Sequence, residues 1–367
     1  VEHGVAKVDF NSYGARRGNH QAGGAPDHRL IAVVNAECGL VIAPGRAYFG
    51  RLPEKQDVSP ETSRNHLMSQ KTAMPAFAGS YTALITPFTN GGIDEAAFRK
   101  LVDFQIDNGT HGLVPVGTTG ESPTLTHEEH DRVVEICIEQ TAGRVPIIAG
   151  AGSNSTAEAV RLARRGAAAG ADGVLIVSPY YNKPTQEGLF RHFSAVAEAV
   201  DVPVIVYDIP GRSIVRVDDD TLVRLNKTHG NICGIKDATS EVGRPPRIRN
   251  ALGAGFTQMS GEDATTLPFL AGGGHGAISV TSNIAPREIA DMHNAWQAGD
   301  IAAAQAINAR MIELHDAMFC EASPGPVKYA ASLLGICAAE TRLPLCEIAD
   351  SSKARVEAAL RGAGLIN

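Results

Sequence analysis

From residue 77 onward, short apolar and β-branched runs recur along the chain. Each is followed by a longer stretch in which apolar positions return every three or four residues. The runs predict strands over 82–87, 112–116, 145–149, 173–178, 203–208, 233–236, 256–260 and 277–281, starting roughly 20 to 33 residues apart. Continuous apolar strands alternating with amphipathic helices indicate a parallel sheet covered on both faces. Eight such units in about 220 residues fit a (β/α)8 barrel. The competing arrangement is an open doubly wound sheet, which usually carries a Gly-rich dinucleotide turn after its first strand. Here the first strand runs into Thr86-Pro87-Phe88 instead.

Helix ends reinforce the units. Asp94-Glu95 opens a helix over 96–108 that Gly109 closes, and Thr156 opens one over 157–169 that Gly170 closes. Thr126-His127-Glu128-Glu129 reads as a capping box. Beyond about residue 300 the pattern is helical only, over 302–317, 327–334 and 353–361. The chain therefore divides into a barrel over 76–299, a C-terminal helical region over 300–367 and a different kind of segment over 1–75. In that segment, 16–24 and 51–71 are polar and without period, and the apolar run 31–43 is broken by Asn35 and Glu37. With no clean basic region before it, the run makes a poor signal peptide. Residues 1–75 read as a disordered or non-native N-terminal extension, with Met68 or Met74 as alternative starts.

Composition narrows the functional classes. The 367 residues carry 33 Lys+Arg against 40 Asp+Glu, a net charge of −7, with no basic block. That balance argues against a nucleic-acid or anionic-membrane partner, and no apolar run is long enough to span a bilayer. Six scattered cysteines, none in a CxxC pair, read as buried thiols in a reducing cytoplasm.

Barrel enzymes carry their chemistry at the C-terminal ends of the strands. The polar residues there are Gly117-Thr118-Thr119-Gly120-Glu121, Tyr180-Tyr181-Asn182, Tyr207-Asp208-Ile209-Pro210-Gly211-Arg212, Lys236-Asp237 and Ser260-Gly261-Glu262-Asp263. Lys236 is the most informative. Of nine lysines, eight read as tail, polar or helix-surface residues, and only Lys236 lies inside an apolar strand. Burial disfavours an ammonium, and a neutral amine is the nucleophile that forms a Schiff base with a carbonyl; the other reading is a lysine paired with a carboxylate such as Asp237. Tyr207 suits a general acid/base or a core tyrosine. Thr118 and Thr119 suit an anion-holding turn or an ordinary βα connection. Arg212 suits carboxylate recognition or a solvated loop. His127 and His130, spaced i, i+3, make half a metal site at best and read as a surface or interface pair. The run from Gly150 to Ser155 matches a phosphate loop only loosely, lacking its third glycine and lysine. Gly272 to Gly274 and Gly276 read as a turn ahead of strand eight.

Together, Gly117-Thr118-Thr119-Gly120-Glu121-Ser122, Tyr180-Tyr181-Asn182-Lys183-Pro184, Tyr207-x-x-Pro210-x-Arg212 and Gly234-Ile235-Lys236-Asp237-Ala238-Thr239 resemble the dihydrodipicolinate synthase family. This is a branch of the pyruvate-dependent class I lyases and aldolases, and the resemblance covers about residues 77–365. It implies a cytoplasmic homotetramer that condenses pyruvate with aspartate-4-semialdehyde on the path to diaminopimelate and lysine, with no metal or other cofactor. Lys236 would form the Schiff base. Tyr207 would be its proton donor and acceptor, linked through Thr118 to Tyr181 of a neighbouring subunit. Thr119, Gly261 and the backbone around Ile278 would hold pyruvate, and Arg212 the carboxylate of the aldehyde. Ser122, Pro123, His127, His130, Asn154, Glu158 and Tyr180 match the positions that bind inhibitory L-lysine in regulated members. The Thr118-Thr119 pair and Arg212 favour this branch over sister aldolases that cleave sialic acid or a 2-keto-3-deoxy sugar acid. A non-catalytic barrel that binds a keto acid would not need Lys236, Tyr207 and Thr118 together. Asp208 stands where the commoner family pattern has Asn, and Pro245-Pro246 is an unusual pair just after strand six.

Overall fold

A computed structural model describes residues 76–367; the expected N-terminal extension over 1–75 lies outside the described residues. Eight parallel strands alternate with helices: β1 (Gly79–Ala83), α1 (Glu95–Asp107), β2 (Gly112–Val114), α2 (His127–Thr141), β3 (Ile148–Gly150), α3 (Thr156–Ala169), β4 (Gly173–Val177), α4 (Gln186–Ala197), β5 (Val204–Asp208), α5 (Asp219–Thr228), β6 (Ile232–Asp237), α6 (Arg244–Leu252), β7 (Thr257–Ser260), α7 (Thr266–Ala271), β8 (Gly276–Ser279) and α8 (Pro286–Gln297). The sheet runs β2-β1-β8-β7-β6-β5-β4-β3. A parallel bridge between Leu113 and Ile147 joins its two ends and closes the barrel. Three helices follow, α9 (Ile301–Ala317), α10 (Gly325–Leu333) and α11 (Asp350–Gly362).

The alternation of side chains along a strand sorts this sequence into two apolar layers. Along β5, Val204 and Val206 pack outward with Leu222, Leu225 and Ile248 of the surrounding helices. Ile205 and Tyr207 point inward with Leu175, Met259 and Ile278. Each fully buried aliphatic side chain contributes roughly 1.5–3 kcal/mol, so a one-residue slip, which would exchange the two faces, is strongly opposed. A polar residue on the inward row, such as Lys236, is thereby held in an apolar environment.

Several sequence expectations shift. The first strand is Gly79–Ala83 rather than 82–87, because the ladder gives out after Leu84 bonds to Val114 and the next N–H, of Ile85, donates instead to the Asn283 side chain at 3.0 Å. Gly276 lies within β8 rather than ahead of it. Gly150 marks a close backbone approach, since a Cβ there would sit 2.4 Å from the Val116 carbonyl oxygen. The thiols are not all buried: Cys137 is, Cys233, Cys320 and Cys337 are half-buried, and Cys346 is exposed; Cys38 lies outside the described residues. Pro245 and Pro246 sit in the first turn of α6, where backbone N–H groups have no intrahelical acceptor and proline costs little. The capping box forms: the Thr126 hydroxyl accepts from Glu129 N while the Glu129 carboxylate accepts from Thr126 N.

Candidate active site

β5 and β6 are adjacent and in register, with Tyr207 opposite Lys236. Both side chains enter the barrel, and the Lys236 amine lies 4.3 Å from the centroid of the Tyr207 ring. Lys236 is 5% exposed. Burial pushes its ammonium down to about 8, against the opposing pull of Asp263 and Glu262 and with Arg212 acting in the same direction as burial. Burial raises the Tyr207 phenol, and the Thr118 side chain is its hydrogen-bond partner. Asp263 does not pair with the lysine directly. Its Oδ2 accepts from the Val280 and Thr281 amides and the Thr281 hydroxyl. Gly261 keeps the space beside the amine open: a Cβ there would sit 2.7 Å from Ala238 Cβ and 3.2 Å from Lys236 Cε.

The turn after β2 presents Thr118 and Thr119 by a tight backbone path. Gly120 N donates to Gly117 O and Glu121 N to Thr118 O. Val116 and Glu121 bracket the turn at φ +50° and +56°, a region that costs non-glycine residues about 1–3 kcal/mol and is tolerated where the surroundings enforce it. The enforcement at Glu121 comes from the C-terminal region, from one helix and the connection that follows it. Its Oε1 pairs with the Lys328 amine at 2.5 Å, both side chains being fully buried, and its Oε2 accepts from Arg342 N at 3.0 Å. Lys328 also donates to Glu340 O and lies over the Phe88 ring. Lys328 thus corrects the expectation that it is a helix-surface residue. Its surroundings, Pro326-Val327-Lys328-Tyr329-Ala330, are apolar enough to have signalled it. Removal of either partner would strand a charge, at a cost of about 3–5 kcal/mol.

Thr118, Tyr207 and Arg212 share one cavity of about 360 Å³ with Ser122, Pro123, His127, His130, Glu158 and Tyr180. Glu158 binds the His127 ring at 2.6 Å and the Ser153 hydroxyl, and these two bonds hold its carboxyl below the usual range. His130 is buried, its Nδ1 3.8 Å from Asp131 Oδ1, and burial lowers it below its ordinary value against the pull of Asp131. The Asn154 backbone reaches the Tyr180 phenol, which burial and Glu158 raise. Arg212 is exposed in the short helical turn Pro210–Ser213 and donates to Ser323 O at 3.4 Å. Thr119 and Ile278 are buried in the barrel. Tyr181 does not join its own chain's site. It is 85% exposed, at φ +73°, on the loop after β4.

Sequence reading missed Arg244. It is fully buried against Asp208, Asp219 and Asp237, and its polar local sequence, Glu241-Val242-Gly243-Arg244, gave no sign of burial.

The model of the dihydrodipicolinate synthetase family matches residues 76–363. The 4-hydroxy-tetrahydrodipicolinate synthase of Gluconacetobacter diazotrophicus is 58% identical over 293 residues, 79% of this chain and 98% of that protein. The chloride-inhibited dihydrodipicolinate synthase from Acinetobacter baumannii, solved with pyruvate, superposes with a TM-score of 0.77 at 43% identity, covering 79% of this chain and 99% of that one. The enzyme from Cyanidioschyzon merolae, solved with lysine bound, does so with 0.77 at 39%, covering 80% and 100%.

Proposed function

The chain belongs to the dihydrodipicolinate synthetase family, and on that premise we propose that it condenses pyruvate with L-aspartate-4-semialdehyde to 4-hydroxy-tetrahydrodipicolinate. The observation that carries the reading is the buried Lys236 amine, lowered to about 8 and set against Tyr207. At neutral to mildly alkaline pH a useful fraction of that amine is unprotonated and nucleophilic.

The Lys236 amine attacks the keto carbon of pyruvate. Tyr207 supplies the proton with which the carbinolamine hydroxyl leaves as water, giving the imine. The Tyr207 phenolate takes a methyl proton to give the enamine, whose carbon attacks the aldehyde, and the alkoxide formed takes that proton back from Tyr207. The amino group of the second substrate then attacks the imine carbon and expels the lysine amine, which closes the ring and regenerates the enzyme; one water is released overall. Thr118 relays protons between Tyr207 and Tyr181 of a neighbouring subunit, a role supported by the exposure of Tyr181 on its own chain. Thr119, Gly261 and the backbone at Ile278 hold pyruvate, and Arg212 receives the carboxylate of the aldehyde. The scheme draws on no metal or cofactor beyond the covalently held pyruvate.

L-lysine binds among Ser122, Pro123, His127, His130, Asn154, Glu158 and Tyr180 and lowers turnover, with Glu158 pairing to its ammonium. The lysine-bound relative and the ionised Glu158 in this cavity support that assignment. The enzyme works as a cytoplasmic homotetramer; among the described residues no helix is long and apolar enough to cross a membrane. A coupled assay with pyruvate and aspartate-4-semialdehyde, run beside cleavage of 2-keto-3-deoxy sugar acids and sialic acid, tests the substrate. Turnover confined to sugar-acid cleavage would overturn it.

A further inference from the structure

Register pairs not only Tyr207 with Lys236 but also the next residues, Asp208 with Asp237. Because successive side chains face opposite ways, the two carboxylates lie behind the two reacting groups, on the outside of the barrel. One guanidinium from α6 collects them. Arg244 Nη1 donates to Asp208 Oδ2 at 2.6 Å and lies 3.5 Å from Asp237 Oδ2. Its Nη2 donates to Val217 O at 2.6 Å and its Nε to Asp219 Oδ1 at 2.8 Å. Asp208 Oδ1 accepts from Val217 N, and Asp237 Oδ1 accepts from the Thr239 amide and hydroxyl. Asp237 Oδ2 has no hydrogen-bond partner of its own.

Arg244 and Asp208 are both fully buried. Burial works against the Arg244 cation, but Asp237 and Asp208 outweigh it and hold it charged. A planar five-donor fork is the group that can bridge such a set; a lysine presents a single charged point and cannot reach Asp208, Val217 and Asp219 in one plane. The bridged backbone segments are the ends of β5 and β6 and residue 217 of the connection that carries Arg212. Asp208 thereby places a buried carboxylate 2.6 Å from the guanidinium, as close as the Val217 carbonyl.

We propose that Arg244 is a positioning residue for imine formation: from outside the barrel it locks the ends of β5 and β6 together, and so fixes how Lys236 is presented to pyruvate beside Tyr207. The inference rests on the Schiff-base role of Lys236. Loosening the lock displaces the amine by the ångström-scale distances to which reacting geometries are sensitive, without removing any group that touches substrate.

The test is single-turnover trapping of pyruvate by borohydride on the full-length enzyme, in wild type, Arg244→Lys, Asp208→Asn and the double variant. The amplitude counts competent subunits, and the rate constant reads presentation of the amine. A structural role alone lowers the amplitude or the melting temperature and leaves the rate constant of the folded fraction unchanged. Arg244→Lys is expected to trap tenfold or more slowly, with kcat/KM for pyruvate falling in parallel. Asp208→Asn is expected to trap at least threefold more slowly. The double variant is expected to lose little beyond Arg244→Lys, because both changes break one contact. Wild-type rate constants in Arg244→Lys, or strictly multiplicative losses, would overturn the inference. If variants at Arg244 fail to fold, Asp208→Asn decides, and a wild-type rate constant there refutes it. A wild type that forms no adduct on Lys236 would refute the proposed reaction instead, so the two failures are distinguishable.

Discussion

The Lys236 amine lies 4.3 Å from the centre of the Tyr207 ring, on the neighbouring strand and in direct register with it. Two residues 29 positions apart in the chain therefore meet inside an apolar barrel.

Tyr207→Phe removes the phenol hydroxyl and leaves the ring that packs against Leu175 and Ile205. The variant is expected to fold and to form the pyruvate imine, yet to turn over about 10²–10⁴-fold more slowly, the usual worth of a positioned acid/base. Steady-state assay beside borohydride trapping checks this. Turnover within a few-fold of wild type would remove Tyr207 from the proton path.

The pH dependence follows from the sign of the Lys236 shift. Burial lowers this group to about 8, so below that pH the ammonium dominates and at subsaturating pyruvate the trapping rate falls by about a factor of ten per pH unit. Above about 8 the rate levels off. A midpoint near the ordinary lysine value would show that the amine is solvated and that its burial is not what activates it. The same shift makes a stability statement. Between about 8 and the unfolded value the unfolded chain holds a proton that the folded chain has lost, so this residue's destabilisation, complete below about 8, is relieved as pH rises through that window.

Free L-lysine is expected to inhibit turnover, and Glu158→Ala is expected to weaken that inhibition tenfold or more while leaving basal kcat within about twofold. Hydrogen bonds from Ser153 and His127 hold the Glu158 carboxyl below its usual range on the wall of the cavity, where a carboxylate forms a charge-assisted bond to an ammonium. Inhibition curves in both proteins decide it; an unchanged inhibition constant in Glu158→Ala would dissociate this cluster from lysine.

Much of the architecture was legible because burial imposes period. The apolar runs of β4 to β6 have no other use than a sheet covered on both faces, and Gly170 and the capping box at Thr126 mark helix ends by backbone requirements that the structure reproduces. What sequence could not show depends on long-range partners. The first strand ends where the Asn283 side chain, about 200 positions away, takes over its backbone N–H. Lys328 is buried because the strained Glu121 needs a cation, and Arg244 because two aspartates come side by side only once β5 and β6 pair. Local polarity reports neither the Asn283 bond nor the Arg244 cluster, and it signals the burial of Lys328 without naming its partner. The residues of the proposed site were found by their positions at strand ends and their resemblance to a family pattern, whereas the groups that hold them in place were not.

The most direct test of the central claim is to identify the amine that carries pyruvate. The protein is incubated with pyruvate, reduced with borohydride and digested, and the peptides are measured by mass spectrometry in the presence and absence of chelator. Irreversible inactivation is expected, with one reduced pyruvate adduct per subunit, located on Lys236 and indifferent to chelator, and no adduct in Lys236→Arg. An adduct on Lys328 or another lysine, or turnover that persists without any adduct and is abolished by chelator, would contradict it.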